Sequence, residues 1–216
     1  MSNYTSMSCE LEIGLLSALH IGTGFGLAGL VDDRITIGPV PHQSNLPALP
    51  YIPGASLKGR LRMYAADLAG PNSLALTDQA ALRNDLFGTP TEPTRLVFPD
   101  AHLTDANVAA IRPAAPALTI EERTHVTISR TRRSAIDQLL MRLEVAAPGL
   151  QLTTTIRGWL PAERAERGLA LLTLAACAIT HLGGHKGRGL GAVHIRPTRV
   201  LLDGESCQLA SLWEHL

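Results

Sequence analysis

The chain has 216 residues, 45% hydrophobic and 18% charged, with 19 basic and 19 acidic side chains and a formal net charge of zero. That apolar content at this length supports a buried core and excludes a disordered tail, and it reads as a single domain over 1–216. The longest apolar run, Gly168 to Leu182, is interrupted by Thr173 and Thr180 and is shorter than the roughly 20 residues a membrane-spanning helix needs. Met1-Ser-Asn-Tyr4 has none of the parts of a secretory signal, so a cytoplasmic protein with no membrane partner is expected. Cys9, Cys177 and Cys207 are too far apart for a structural zinc site and too few for a disulfide framework.

Ser8 to Leu16 alternates apolar Cys9, Leu11, Ile13 and Leu15 with Glu10 and Glu12, the period of a half-buried strand. The strand runs into His20-Ile-Gly-Thr-Gly-Phe-Gly-Leu-Ala-Gly29, a loop or sharply bent edge, and Val31 to Ile37 follows as a short second strand. Pro39 to Pro50 is too proline-rich for regular structure. From Leu57 to Ala69 the apolar Leu57, Leu61, Tyr64, Ala65 and Leu68 take helical spacing, with Ser56 as N-cap and Gly70-Pro71 as the stop. Residues 71–118 read as a lid-like insertion of short pieces, including a strand-like Arg95-Leu-Val-Phe98 and a loop at Arg112 to Ala117. The basic, weakly periodic stretch 119–140 reads as a protruding insertion. Leu143 to Ala147 and Gln151 to Arg157 flank Pro148-Gly149 and predict a β-hairpin. Gly168 to Leu182 predicts a second helix, and the last strand falls near Ala192 to Arg196. This order predicts an α+β fold, with helices on one face of an antiparallel sheet.

The zero net charge conceals segregation. Between Ile13 and Ala66 the acids are Asp32 and Asp33 alone, beside Arg34, Lys58, Arg60 and Arg62. No acid accompanies Arg123, Arg130, Arg132 and Arg133, nor the bases from Arg167 to Arg199. If these segments meet in space they form a positive track suited to phosphates. Two motifs sharpen this. Pro53-Gly-Ala-Ser-Leu-Lys-Gly-Arg-Leu-Arg62 opens a helix, where first-turn amides and the dipole favour an anion, with Lys58 and Arg62 on one face; an ordinary capped helix is the plainer alternative. Gly183-Gly-His-Lys-Gly-Arg-Gly-Leu-Gly191 carries Lys186 and Arg188 among five glycines, more than a plain connection needs.

Gly24-Phe-Gly-Leu-Ala-Gly29 matches a dinucleotide fingerprint literally, but no helix starts within it and no acid follows between Arg34 and Ala66. Asp32 and Asp33 are carboxylates in an otherwise basic stretch. They serve either as local charge or turn partners, or to hold a divalent ion against RNA or act on its 2′-hydroxyl. The eight histidines show no metal-binding spacing. His20, at the lip of the first loop, and His185, inside the second, are the two placed to contact RNA.

Taken together, the His20-Ile-Gly-Thr-Gly start, the Asp-bearing loop, Tyr51-Ile-Pro-Gly-Ala-Ser-Leu-Lys-Gly-Arg-Leu-Arg62 and the late basic glycine loop resemble the RAMP superfamily of CRISPR-associated proteins. Within it, they are similar to the repeated backbone subunits of type III effector complexes. His125-Val-Thr-Ile-Ser-Arg130 resembles that group's pattern before its thumb. The resemblance implies a ferredoxin-like (RRM-like) core with a thumb insertion near 119–140. It further implies copies stacked along a guide RNA (crRNA) with other CRISPR effector subunits, and cleavage of a paired target RNA by a loop aspartate. That aspartate is Asp32 if Gly29-Leu-Val-Asp32 matches the family's Gly-x-Ile-Asp, with Asp33 the near alternative. It would act with Mg²⁺ or Mn²⁺ held by Asp32. His20, Ser56, Lys58, Arg62, Arg130, His185, Lys186 and Arg188 would contact RNA. The alternatives are a non-catalytic guide-binding subunit, or a solitary guide-precursor ribonuclease using His20.

Overall fold

A computed structural model of the chain describes residues 3–27, 30–39, 48–68, 79–111 and 118–214, without the side chains of 137–139. In chain order the elements are β1 (Tyr4–Leu15), β2 (Ile37–Gly38), β3 (Leu49–Pro50), α1 (Gly54–Leu68), α2 (Gln79–Phe87), β4 (Leu96–Val97), β5 (His102–Leu103), α3 (Asp105–Ile111), β6 (Ile120–Ile128), β7 (Ala135–Ala146), β8 (Gln151–Pro161), α4 (Ala165–Ala178), β9 (Val193–Leu202), β10 (Glu205–Ser206) and α5 (Leu209–Trp213). The expected α+β class holds. One antiparallel sheet runs β10-β9-β1-β8-β4, with β5 also on β8.

The alternation along β1 sends Met7, Cys9, Leu11, Ile13 and Leu15 to one face, where they are buried with Leu57, Leu61 and Ala65 of α1 and Leu169, Leu172 and Ala176 of α4. Burial pushes the Cys9 thiol up to about 12, so it behaves as a small apolar side chain. The opposite face is polar, and there Arg196 donates to Glu12 at 2.9 Å. Where Pro197 cannot donate to the ladder, the β1–β9 register shifts between Glu10 and Leu11. No helix among the described residues is long and apolar enough to cross a membrane.

Four expectations change. Pro148-Gly149 does not close a hairpin. The Gly149 amide donates to Leu15 and the Leu15 amide to Leu150, so the turn docks on β1, β8 pairs with β1, and β7 pairs with β6 instead. Val31 to Ile37 is no continuous strand. The amides of Asp32 and Asp33 both donate to the Arg142 carbonyl, at 2.9 and 3.4 Å, a bulge that leaves only isolated bridges before β2. Ser56 is not the N-cap. The helix begins at Gly54, whose amide donates at 2.8 Å to the Asp100 carboxylate. The second helix ends at Ala178 rather than Leu182, because the chain turns extended at Ile179 and His181 bridges to Ala192. The helix stop at Gly70-Pro71, the loop from Arg112 to Ala117, Gly29, and most of the Pro39 to Pro50 stretch lie outside the described residues.

Candidate nucleic-acid interface

Antiparallel pairing dictates where the site must be. The C-terminal end of β1 lies beside the N-terminal ends of β8 and β9, with Gly14 opposite Gln151 and Leu15 opposite Val193. The first glycine-rich loop leaves the sheet there, the second re-enters there, and β7 arrives there before β8. The two glycine-rich loops and the β6–β7 hairpin therefore meet at one end of the sheet.

The join is built around His20, which is 3% exposed. Its Nδ1 lies 2.7 Å from the Glu144 carbonyl oxygen, an acceptor only, so Nδ1 donates there; Nε2 faces Asp33 Oδ2 at 3.1 Å, and a proton between them completes the pair. The second Asp33 oxygen accepts the Gly24 amide at 3.3 Å. A Cβ on Gly22 would run into this carboxylate, so the glycine is required for the close approach. Beyond His20 stands His185, edge-on at 5.3 Å between ring centroids, and beyond that His125 of β6, nearly parallel at 6.3 Å. His125 Nε2 is buried without a hydrogen-bond partner. Partial burial, and then the positive neighbours His20, Arg188 and His125, lower the proton affinity of His185 against the opposing pull of Asp33.

The second loop is pinned at both ends. Gly184 donates to the His20 carbonyl and Gly191 to that of Ala18. A side chain on Gly183 would meet the His20 carbonyl, and one on Gly191 that of Leu182. Between these anchors a single 3₁₀ turn presents Lys186 and Arg188 to solvent.

The helix motif is arranged differently from its expected reading. The Gly54 amide already meets the Asp100 carboxylate, so the start of α1 offers a phosphate less than its sequence promised. Lys58 places its ammonium 5.5 Å from the Phe98 ring centroid. The groove facing the two loops is lined by Ser56, Gly59, Arg60 and Met63 together with Ile21, Leu182 and Gly183. At about 100° per residue, Lys58 and Arg62 lie on another flank of the helix. Ser56 therefore joins the site, Arg60 joins it unforeseen, and Lys58 and Arg62 stand apart.

Asp32 and Asp33 have separate surroundings. Asp33 turns inward to His20, whereas Asp32 is exposed, with Oδ2 accepting the Arg142 amide of β7 at 2.6 Å. Arg142 in turn donates to the Leu30 carbonyl at 3.5 Å, and Arg34 pairs with Glu144 at 3.3 Å. The outward carboxylate thus sits beside the middle of the β6–β7 hairpin, whose far turn carries exposed Arg130. Among the described residues no group of three or more His, Cys, Asp or Glu side chains is placed to enclose a metal. His20 is too deep to touch a ligand directly, which corrects the expected RNA contact into a supporting position. His125, Glu144, Arg142 and Arg60 belong to the site but carry no spacing signal of their own; His125 and Arg60 lay inside family-like segments.

A protein of Mycobacterium tuberculosis (strain ATCC 25618 / H37Rv) named CRISPR system Cms endoribonuclease Csm3 is 30% identical over 222 aligned residues, covering 89% of this chain and 87% of its own. The protein of the same name from Streptococcus thermophilus is 28% identical over 111 residues, 48% of each chain. A chain from the cryo-EM structure of type III-B Cmr-beta in the apo state superposes with a TM-score of 0.65 at 12% identity, covering 88% of this chain and 97% of that one. The RAMP superfamily model matches residues 12–194, from the end of β1 through both glycine-rich loops to the start of β9, and the chain belongs to that superfamily.

Proposed function

We propose that this protein is a backbone subunit of a type III CRISPR effector complex, working in the cytoplasm, which holds guide RNA and cleaves the complementary target RNA at Asp32. The observation that carries the reading is the exposed Asp32 carboxylate, fixed by the Arg142 amide of the β6–β7 hairpin and next in the chain to Asp33, whose partner His20 anchors the loop that carries Lys186 and Arg188. A carboxylate repels phosphate, and an exposed one in an otherwise basic stretch of chain calls for a chemical role. The names of the Csm3 relatives favour endoribonuclease action.

In this reading the β9-β1-β8-β4 sheet with α1 and α4 is a ferredoxin-like (RRM-like) core. Its open face carries Glu10, Glu12, Thr153 and Thr155 toward the loop end, while its exposed aromatics Tyr4 and Trp159 lie at the opposite end, and in this reading RNA runs over the loop end of the sheet. Lys186 and Arg188 hold the guide backbone, and the β6–β7 hairpin is the thumb that displaces a nucleotide, with neighbouring copies and other effector subunits completing the track. Displacing a nucleotide lines up a 2′-hydroxyl with the adjacent phosphorus, and that positioning supplies much of the rate.

A single outward carboxylate suits Mg²⁺ or Mn²⁺, which are commonly held by one or two carboxylates together with substrate phosphate oxygens. Such an ion would offset charge developing on the phosphate. Asp33, bound to His20, keeps the loop in place. The solitary-ribonuclease alternative loses support, since both ring nitrogens of buried His20 are engaged.

The test is assembly of the complex with Asp32→Ala and incubation with target RNA and Mg²⁺ or Mn²⁺. The expected result is intact target with guide retained. Target still cut at regular spacing would remove Asp32 from the mechanism and make Asp33→Ala the next variant.

A further inference from the structure

Phe25 is 78% exposed, the highest value among the exposed large hydrophobic side chains of the described residues, while Phe87 is 3% exposed and stacks on Phe98. An aromatic ring so exposed forgoes burial, and on a loose loop that would carry little meaning. The backbone of Phe25 is not loose. Its amide donates to Thr23 Oγ1 at 3.2 Å, and its carbonyl accepts both that hydroxyl at 3.1 Å and the Arg34 amide at 3.1 Å. The ring is therefore presented from a main chain fixed on both sides, a preorganised contact.

Its position is also fixed relative to Asp32. Gly26 passes so close to the opposing strand that a Cβ there would strike the carbonyl oxygens of Val31 and Asp32. Phe25, one residue earlier, thus flanks the backbone that carries the outward carboxylate. Leu27 and Leu30 are also exposed nearby, and the Arg142 guanidinium is hydrogen-bonded to the Leu30 carbonyl.

From this juxtaposition we infer that Phe25 is a nucleobase-stacking residue: its ring takes an unpaired base of the RNA strand whose phosphate lies at Asp32. The inference rests on the proposed RNA-cleaving role of Asp32. An apolar, planar surface beside guanidinium groups matches an unstacked base on a polyanionic backbone. A flat ring holds any base, because every base has a π-face, so the contact is tolerant of sequence, as a subunit acting on arbitrary targets requires. With Phe25 against one nucleotide and Asp32 at the neighbouring phosphate, the base is kept out of the duplex while the backbone reacts.

The experiment uses the assembled complex with Phe25→Ala, Phe25→Leu and Phe25→Trp, and a single-stranded RNA oligonucleotide complementary to the guide. At 78% exposure none of these substitutions is expected to alter folding, which thermal unfolding checks. Expected results are target affinity or cleavage reduced about tenfold in Phe25→Ala and nearly as much in Phe25→Leu, near-normal behaviour in Phe25→Trp, and quenching of the extra tryptophan emission when the oligonucleotide is added. Wild-type affinity and cleavage in Phe25→Ala, with emission from the Phe25→Trp complex unchanged by target, would overturn the stacking role. So would emission that shifts on assembly alone, before target is added, since the ring would then be covered by a neighbouring protein. A wild-type complex that binds target but does not cut it would strike the proposed catalysis instead, and Phe25 would still be judged by affinity and emission.

Discussion

Two adjacent aspartates illustrate how much a residue's chemistry depends on its surroundings. Asp33 supports buried His20, so Asp33→Ala should cost about 1–3 kcal/mol through the unsatisfied imidazole, measured by denaturant unfolding. Asp32→Ala, at an exposed position but losing the hydrogen bond from the Arg142 amide, should cost about 0.5–1.5 kcal/mol while abolishing target cleavage. His185 supplies a pH test. Its proton affinity in the folded protein is lowered from the ordinary value of 6.5, so just below pH 6.5 the unfolded chain binds more protons than the folded one. Stability contributed by His185 is therefore present above that window and falls as the solution is acidified through it. The NMR titration midpoint of His185 should lie below 6.5, and Arg188→Ala should move it upward by removing a positive neighbour.

At the scale of elements, α1 depends on a distant cap. Asp100→Ala should destabilise the protein by about 1 kcal/mol, read as a fall in Tm of about 2–4 °C. That cap lies 46 residues from the amide it serves, and no local pattern could reveal it; Ser56 looked like the N-cap because only the nearby sequence was visible. The β1 strand and the body of α4 were legible, since their burial follows a period of two or an unbroken apolar run. The hairpin was misread for a definite reason. Apolar alternation on both sides of Pro148-Gly149 is the usual hairpin signal, yet the turn's hydrogen bonds go to Leu15, and the true partner strand, β6, is largely exposed and polar. The site was half legible. The glycines, cations and aspartates were visible as motifs, but the His20–His185–His125 row depends on three segments meeting at the sheet's end.

For the whole molecule, zero net charge and the proposed RNA-binding role are compatible because the charges are segregated along the chain. Replacing Lys186 and Arg188 by alanine should weaken RNA binding by the assembled complex. It should also lower the slope of log affinity against log salt by about 1.4, at roughly 0.7 per phosphate contact on a single strand. An unchanged slope, measured between about 50 and 200 mM salt by filter binding, would place the guide elsewhere. The bulge at Arg142, where one carbonyl serves two amides, has a bearing on all of this. It makes one aspartate supernumerary to the ladder: excising a single codon there would let the remaining carboxylate fall into regular register beneath the loops. If Asp32 cuts as proposed, a deletion of that single residue should yield a fully assembled RNA holder that retains guide but leaves target RNA intact.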